Sequence, residues 1–446
     1  MSPPATGVLP VEAGVSAWDS FFLPERLFAS VEQDESCDVL IIGGGFAGLS
    51  AARAVRLKAP GARVIVLEAL RIGEGASGRN AGFMIDLTHD LSSEDYGGEE
   101  TRARHTIQEN RHAIAFALDA AAEYGFQDGV MARSGKVNGA CTERSMQLVK
   151  RYASHLDQLG EPYRLLDDAD MQRLTGSAYY RSGIHTPGTV MIQPAAYIKS
   201  LALGLQAQGI RIFERSPVAR LDRSAGLVAH TRLGKIAAGR VILATNGHVR
   251  AFGHYANRLI DVTTYASITC SMTDGQSRAL GGSDTWSITP AAPHGSTLRR
   301  VRGPLFGGDR IFYRSVFQAI GLEPASPAQL AHSLQEHIKG FNRRFPALRG
   351  IGITHTWAGR LCLSRNGASA VAQVAPGLIT ACCQNGLGSV RGTFNGIRAA
   401  HIALGLPDDL TPYGGEQPSR VVPEPLLKPG VNAYLSWKRW HDRDEV

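Results

Sequence analysis

The stretch from Asp38 to Glu68, DVLIIGGGFAGLSAARAVRLKAPGARVIVLE, limits the possible folds of this chain more than any other. Val39-Leu40-Ile41-Ile42 reads as a short buried strand, and Gly43-Gly44-Gly45-Phe46-Ala47-Gly48 then meets the G-x-G-x-x-G spacing. Small and apolar residues continue as a helix through Leu57, and a second strand, Arg63 to Leu67, ends in Glu68. Gly43 permits the sharp turn, Gly45 lets a pyrophosphate reach the backbone, and Gly48 allows the helix to lie close on the sheet. The helix N-terminus offers N–H groups to phosphates. Glu68, twenty residues beyond Gly48, is spaced to accept hydrogen bonds from a ribose. Strand, fingerprint, helix, strand and terminal acid occur in order, which predicts a dinucleotide-binding unit.

The whole chain of 446 residues exceeds one compact core, and with 43% hydrophobic residues it suits two or three domains. A formal charge of +7, with basic residues mostly alternating with acidic ones, argues against a nucleic-acid partner. Six cysteines lie at irregular spacings without metal-ligand pairs, so the expectation is a reduced cytoplasmic protein with neither a metal site nor a disulfide framework. The start, MSPPATGVLPVEAG, lacks the basic and apolar regions of a secretion signal. No run of about eighteen apolar residues occurs, so no transmembrane segment is expected. The terminal YLSWKRWHDRDEV is aromatic and basic; it reads as a docked tail or a membrane-surface contact.

Two further strands, in GRVILATNGH (Gly239 to His248) and PGLITACCQNGLGS (Pro376 to Ser389), stop at small residues, as strands of a parallel sheet do where they meet a ligand. The run Gly386-Leu387-Gly388-Ser389-Val390-Arg391-Gly392 has GxGxxxG spacing and reads as a strand end followed by a helix, Thr393 to Leu404. With no second fingerprint and no CxxxxC pair, one large cofactor held by segments far apart in sequence fits better than a pyridine-nucleotide disulfide reductase. Behind the first unit, GASGRNAG (Gly75 to Gly82) removes side-chain bulk but keeps Arg79 and Asn80.

Together with MIQPAAYIKSLA, HTWAGR and LITACCQNGLGSVRGTFNGIRAAHIALG, these segments resemble the FAD-dependent oxidases of the D-amino-acid oxidase superfamily, which are glycine- and sarcosine-oxidase-like. The EGASGRN segment is nearest to gamma-glutamylputrescine oxidase. The resemblance implies an α/β fold: a discontinuous Rossmann-like FAD-binding domain (36–85, 145–255, 350–405) and an α+β substrate domain carrying an antiparallel sheet (86–144, 256–349). Residues 1–35 would be an N-terminal segment and 406–446 a C-terminal tail. It implies non-covalent FAD held by Gly43, Gly45, Phe46, Ala47, Gly48, Glu68, Ala69 and Arg71. From the small-residue loop come Ser77, Arg79, Asn80, Ala81 and Gly82, with Val218 meeting the adenine through its backbone. Ala244, Thr245, Asn246 and the run Gly386, Leu387, Gly388, Ser389, Val390 complete the set, the last run aiming N–H groups at the flavin's pyrimidine end.

The implied reaction oxidises the C–N bond of a primary or secondary amine or an amino acid. A hydride passes to flavin N5, water hydrolyses the imine, and oxygen is reduced to hydrogen peroxide. The alternative is a dehydrogenase passing electrons to a quinone or partner protein. For the substrate, Arg299 or Arg360 would hold a carboxylate, with an ordinary salt bridge as the other reading of each, and Trp357 is core or pocket wall. Some sarcosine-oxidase-like members tether flavin through a cysteine in the region of Cys362. They also carry a lysine where this chain has Val390 and Arg391. The sequence leaves the substrate and the oligomeric state open.

Overall fold

The computed structural model describes residues 9–22, 28–88, 99–224, 226–407 and 416–446. At its centre the strand Glu35–Ile42 pairs in parallel with Val64–Leu67 on one side and Lys235–Leu243 on the other. Arg211–Phe213 and Leu378–Cys382 extend this to five parallel strands. Parallel strands are buried on both faces, which is why VLII, VIVL and VIL run apolar without alternation. The first half of Lys235–Leu243 turns instead to an antiparallel partner, Leu227–His230, which pairs with Arg220–Asp222.

Two helices, Phe46–Lys58 and Gly388–Leu404, cross closely beneath this sheet. A Cβ at Gly396 would lie 2.1 Å from the Ala47 carbonyl oxygen, so the crossing distance depends on that glycine. The second helix starts five residues before the Thr393 expected from sequence. Leu387 is its N-cap, so Gly388 is its first residue, Gly386 precedes it and Gly392 lies one turn further on. Helix Pro194–Ala207 leads into the edge strand Arg211–Phe213.

The second sheet has eight strands. Ile353–Leu363, Ile260–Thr269, Arg310–Gln318, Thr297–Val301, Trp286–Pro290, Lys136–Ala140, Ser182–Thr186 and Arg164–Leu166 follow in spatial order. All neighbours are antiparallel except Trp286–Pro290 with Lys136–Ala140. Helix Pro327–Arg344 backs it, with His337 bonded to Ser267 at 2.7 Å. The opposite face, carrying Ala266, Phe312, Arg314 and Trp357, turns toward the first sheet's ligand end.

Three expected boundaries change. Arg164–Leu166, Ser182–Thr186 and Ile353–Leu363 join the second sheet, although 145–255 and 350–405 were assigned to the cofactor domain. Helix Glu100–Glu123, inside the expected substrate region, lies on the first domain, where Arg53 pairs with Glu123 at 2.6 Å. The N-terminal segment is also no appendage. Its short helix Ala17–Phe21 buries Trp18 completely against Phe306, Phe312 and Trp357. Strand pairing between distant segments carries no local signal, which is why the apolar runs were readable and their partners were not.

The C-terminal tail is docked. Helix Glu424–His441 hydrogen-bonds both backbone groups of Ala319 through the Asn432 amide, and Arg344 donates to the Glu445 and Val446 carbonyls. No helix among the described residues is long and apolar enough to cross a membrane.

Candidate functional site

The site begins where the strand Glu35–Ile42 turns into helix Phe46–Lys58. Gly43 has φ +110°, and a Cβ on Gly48 would sit 1.8 Å from the Gly43 oxygen. The helix therefore starts against its own turn, which only glycine at 48 allows. Its N-cap, Gly45, supplies no side chain to satisfy the first turn. At the end of the neighbouring strand the Glu68 carboxylate accepts the Gly44 N–H at 2.8 Å and the Leu70 N–H at 2.9 Å. Burial pushes the Glu68 carboxyl above its usual range, and those N–H groups oppose the shift.

The small-residue loop is held from within and from behind. Asn80 donates to the Ser77 carbonyl at 2.7 Å and accepts the Gly82 N–H at 2.8 Å, closing the loop on itself. Ser77 Oγ accepts the Phe46 N–H at 3.1 Å, tying loop to fingerprint. Arg79, expected among the FAD-holding residues, has its guanidinium engaged by the protein. Its guanidinium donates to the Ala358, Ala13 and Gly14 carbonyls, each at 2.6 Å, with Glu12 at 3.7 Å. Arg71 is likewise engaged, by Asp19 at 3.1 Å and Glu74 at 3.2 Å.

A single continuous cavity runs from this cradle to the second sheet. Gly43, Gly45, Phe46 and Ala47 form its floor, with Glu68, Ala69 and Arg71 beside Val218 at one end. Ser77, Arg79, Asn80, Ala81 and Gly82 make one wall. Ala244, Thr245 and Asn246 line it together with Gly386, Leu387, Gly388 and Ser389, at the ends of neighbouring strands. Gly48 and Val390 lie off the wall: the first supports the turn, and the second is buried in the core between the helices.

The expected substrate residues divide. Arg299 is not on the cavity. It is buried beneath the loop, donating to the Ala81 and Ile192 carbonyls at 2.7 and 2.9 Å and surrounded by Trp18, Phe83 and Phe306. Arg360 does line the cavity, but its guanidinium is tied to the Leu322 and Val11 carbonyls at 2.5 and 2.7 Å. Among the described residues neither arginine is in the salt bridge of the other reading. Trp357 is fully buried and its indole donates to the Arg79 carbonyl at 3.0 Å, so it positions the loop.

Sequence reasoning missed Arg314, Thr297, Thr289 and His248, all on the cavity wall. Arg314 interrupts the apolar strand RIFYRSVFQ, two residues from Phe312 on the same face, and that alternation was the available signal. Burial alone lowers its guanidinium to about 10. His248 is held neutral, its imidazole lowered to about 4 by burial and by the Arg360 and Arg250 charges. Cys362 also lines the cavity; the adjoining Cys383 thiol and burial keep it protonated.

The donor set fits FAD. An acid stands at the strand end, glycines remove the bulk a Cβ would add over Ser77, and the Thr245 hydroxyl is buried on the wall without a partner. The family model described as FAD dependent oxidoreductase (DAO) matches residues 38–396. This chain belongs to that family.

Relatives match from half to nearly the whole of the chain. A probable oxidoreductase, OrdL, of Rhizobium meliloti is 26% identical over 414 residues, covering 90% of this chain and 91% of the relative. Gamma-glutamylputrescine oxidoreductase of Escherichia coli is 27% identical over 231 residues, 50% of this chain and 52% of its own. Among solved structures, glycine oxidase from Geobacillus kaustophilus superposes with a TM-score of 0.71 at 17% identity, covering 86% of this chain and 99% of that one. The two-sheet architecture is thus that of a glycine-oxidase-like DAO fold.

Proposed function

We propose that this FAD-dependent oxidoreductase oxidises the C–N bond of a primary or secondary amine or an amino acid, and that oxygen reoxidises it with formation of hydrogen peroxide. The observation that carries the reading is the continuous cavity joining the Glu68 cradle to the second sheet, where a small substrate would lie across the cofactor. Glu68 would take the ribose hydroxyls, the Gly43–Ala47 turn the pyrophosphate, and the backbone at Val218 the adenine. FAD, when bound, supplies a two-electron acceptor for the hydride leaving the carbon that bears the nitrogen.

The protein's part is to prepare the amine and the surrounding field. An amine must be neutral to give up that hydride, so the pocket must favour loss of the ammonium proton. Arg314 on the wall and Arg299 behind it are both cations lowered by burial, and they disfavour a third positive charge nearby. Neutral His248 also lines the cavity, and with its imidazole lowered to about 4 it adds no positive charge there. The N-terminus of helix Gly388–Leu404 presents its positive end at Gly386–Ser389, where it would favour negative charge on a bound flavin. The imine product is released to water, which hydrolyses it to a carbonyl.

A protonated Cys362 is a poor nucleophile, which supports non-covalent FAD. Six unpaired cysteines support a reducing, cytoplasmic setting. The test is spectroscopic. The purified protein is expected to be yellow, to bleach anaerobically with an amine or amino acid, and to form peroxide stoichiometrically on readmission of air. Bleaching followed by slow reoxidation in air and fast reoxidation by a quinone would replace the oxidase by the dehydrogenase reading.

A further inference from the structure

We infer that residues 9–14 belong to the cofactor site: they form a strap along the cavity, and from it the Glu12 side chain hydrogen-bonds an oxygen of the bound FAD. The family model begins only at residue 38, so this part of the site lies outside the matched region. The inference needs FAD in the cavity and does not depend on what is oxidised there.

The strap is held by its backbone. The Ala13 carbonyl accepts the Ala358 N–H at 3.0 Å, the Ala13 and Gly14 carbonyls accept the Arg79 guanidinium at 2.6 Å each, and the Val11 carbonyl accepts Arg360 at 2.7 Å. Gly14 has φ +71°, and a Cβ there would come 2.3 Å from the Thr356 oxygen, so the strap lies directly on strand Ile353–Leu363. Just beyond it, Ser16 and Trp18 donate to the Gly78 and Asn80 carbonyls at 3.1 and 2.9 Å, anchoring the segment to the loop that walls the cavity. Val11 and Val15 are exposed, whereas Leu9, Pro10 and Glu12 line the cavity. Arg79 and Arg360, expected to hold cofactor and substrate, hold this strap in place.

Glu12 is the polar side chain that this arrangement presents. It is 9% exposed, and among the described residues no hydrogen bond reaches its carboxyl. Arg79 Nε stands 3.7 Å away but already donates to the Ala358 carbonyl. Burial raises the Glu12 carboxyl above its usual range; Arg79 and Arg360 oppose the shift, and Glu74 and Glu68 add to it. A buried carboxyl with no partner costs stability, and a ligand filling the cavity is what satisfies it. In its protonated form it donates to oxygen, and the phosphates and ribityl hydroxyls of FAD offer a line of oxygens. Neutral, it can lie beside a pyrophosphate that an ionised carboxylate would repel.

The test compares the flavin-loaded wild type with Glu12→Gln, Glu12→Ala and Gly14→Val, and with Val15→Ser as an exposed control. FAD release is followed by flavin fluorescence on dilution, and denaturation of the stripped protein is recorded separately. Glu12→Ala should release FAD about tenfold faster, the effect of one lost hydrogen bond, without lowering the stripped protein's denaturation midpoint. Glu12→Gln keeps a donor and should release FAD at close to the wild-type rate. Gly14→Val lifts the strap and should release it at least as fast as Glu12→Ala, and Val15→Ser should match wild type; if Gly14→Val does not fold, the Glu12 pair decides. Hydrogen exchange at residues 9–14 should slow when FAD binds. The groups facing Glu12 are Arg79 and Glu74 from the loop, Glu68 from the strand end, and Arg360 from the second sheet, with neutral His248 beside it. As pH rises and Glu12 ionises, wild-type release should quicken, and Glu12→Gln should lack that increment while keeping whatever Glu68 contributes. Release from Glu12→Ala at the wild-type rate, a pH dependence identical in wild type and Glu12→Gln, or exchange in 9–14 that is indifferent to FAD overturns the inference.

Discussion

The indole N–H of Trp18 donates to the carbonyl of Asn80 at 2.9 Å, so a residue of the N-terminal segment fixes the loop that walls the cofactor cavity. Trp18→Ala removes that bond and a fully buried ring stacked on Phe312. A loss of about 3–5 kcal/mol of stability is expected, with faster FAD release. Thermal denaturation and flavin fluorescence on dilution read the two effects.

Arg79 separates a structural from a ligand-binding role. Because its guanidinium is spent on three carbonyls, Arg79→Met should destabilise the cofactor-free protein by about 3 kcal/mol. A phosphate-binding arginine would instead leave the stripped protein's denaturation curve unchanged and weaken FAD alone. Chemical denaturation before and after flavin removal decides.

At the fingerprint, Gly48→Ala would drive a methyl into the Gly43 carbonyl, whereas a Cβ at Gly61 meets nothing within 4 Å. Gly48→Ala should yield colourless or insoluble protein and Gly61→Ala a normal yellow one. Purification of both, with the flavin-to-protein absorbance ratio, is the check.

Glu68→Gln preserves the shape but leaves a neutral acceptor for the Gly44 N–H. FAD affinity should fall about tenfold, equivalent to about 1.4 kcal/mol. Equilibrium titration of stripped protein with FAD measures it.

Acid should weaken the fold. Burial lowers His248 and His294 to about 4 and His337 to about 3, so all three are neutral when folded. Between pH 6.5 and about 4 the unfolded chain binds protons that the folded one does not, and stability falls as pH falls. Glu12 and Glu68, raised by burial, act in the opposite direction, so the comparison must be internal. His337→Asn should make the slope shallower by about 1.4 kcal/mol per pH unit in urea denaturation series.

What was legible in the sequence was local. The Gly43–Gly48 turn, the acid ending Val64–Leu67 and the small residues after Leu243 and Cys382 are short-range patterns, and the backbone follows them. What was not legible depends on where separate strands meet. Arg299 and Arg314 are both arginines on one face of neighbouring strands, yet one is beneath the loop and the other faces the cavity. The carbonyls that capture Arg79 come from Ala13 and Ala358, positions no spacing rule connects to it.

Trp18 is translated well before Trp357, which it packs against edge-on. At roughly 10 residues per second the first ring waits about half a minute for the second. During that interval Trp18, Phe21 and Phe22 are sticky surface on a nascent polypeptide. Slower, cooler expression or an abundant holdase should therefore raise soluble yield more than any change to the cofactor supply.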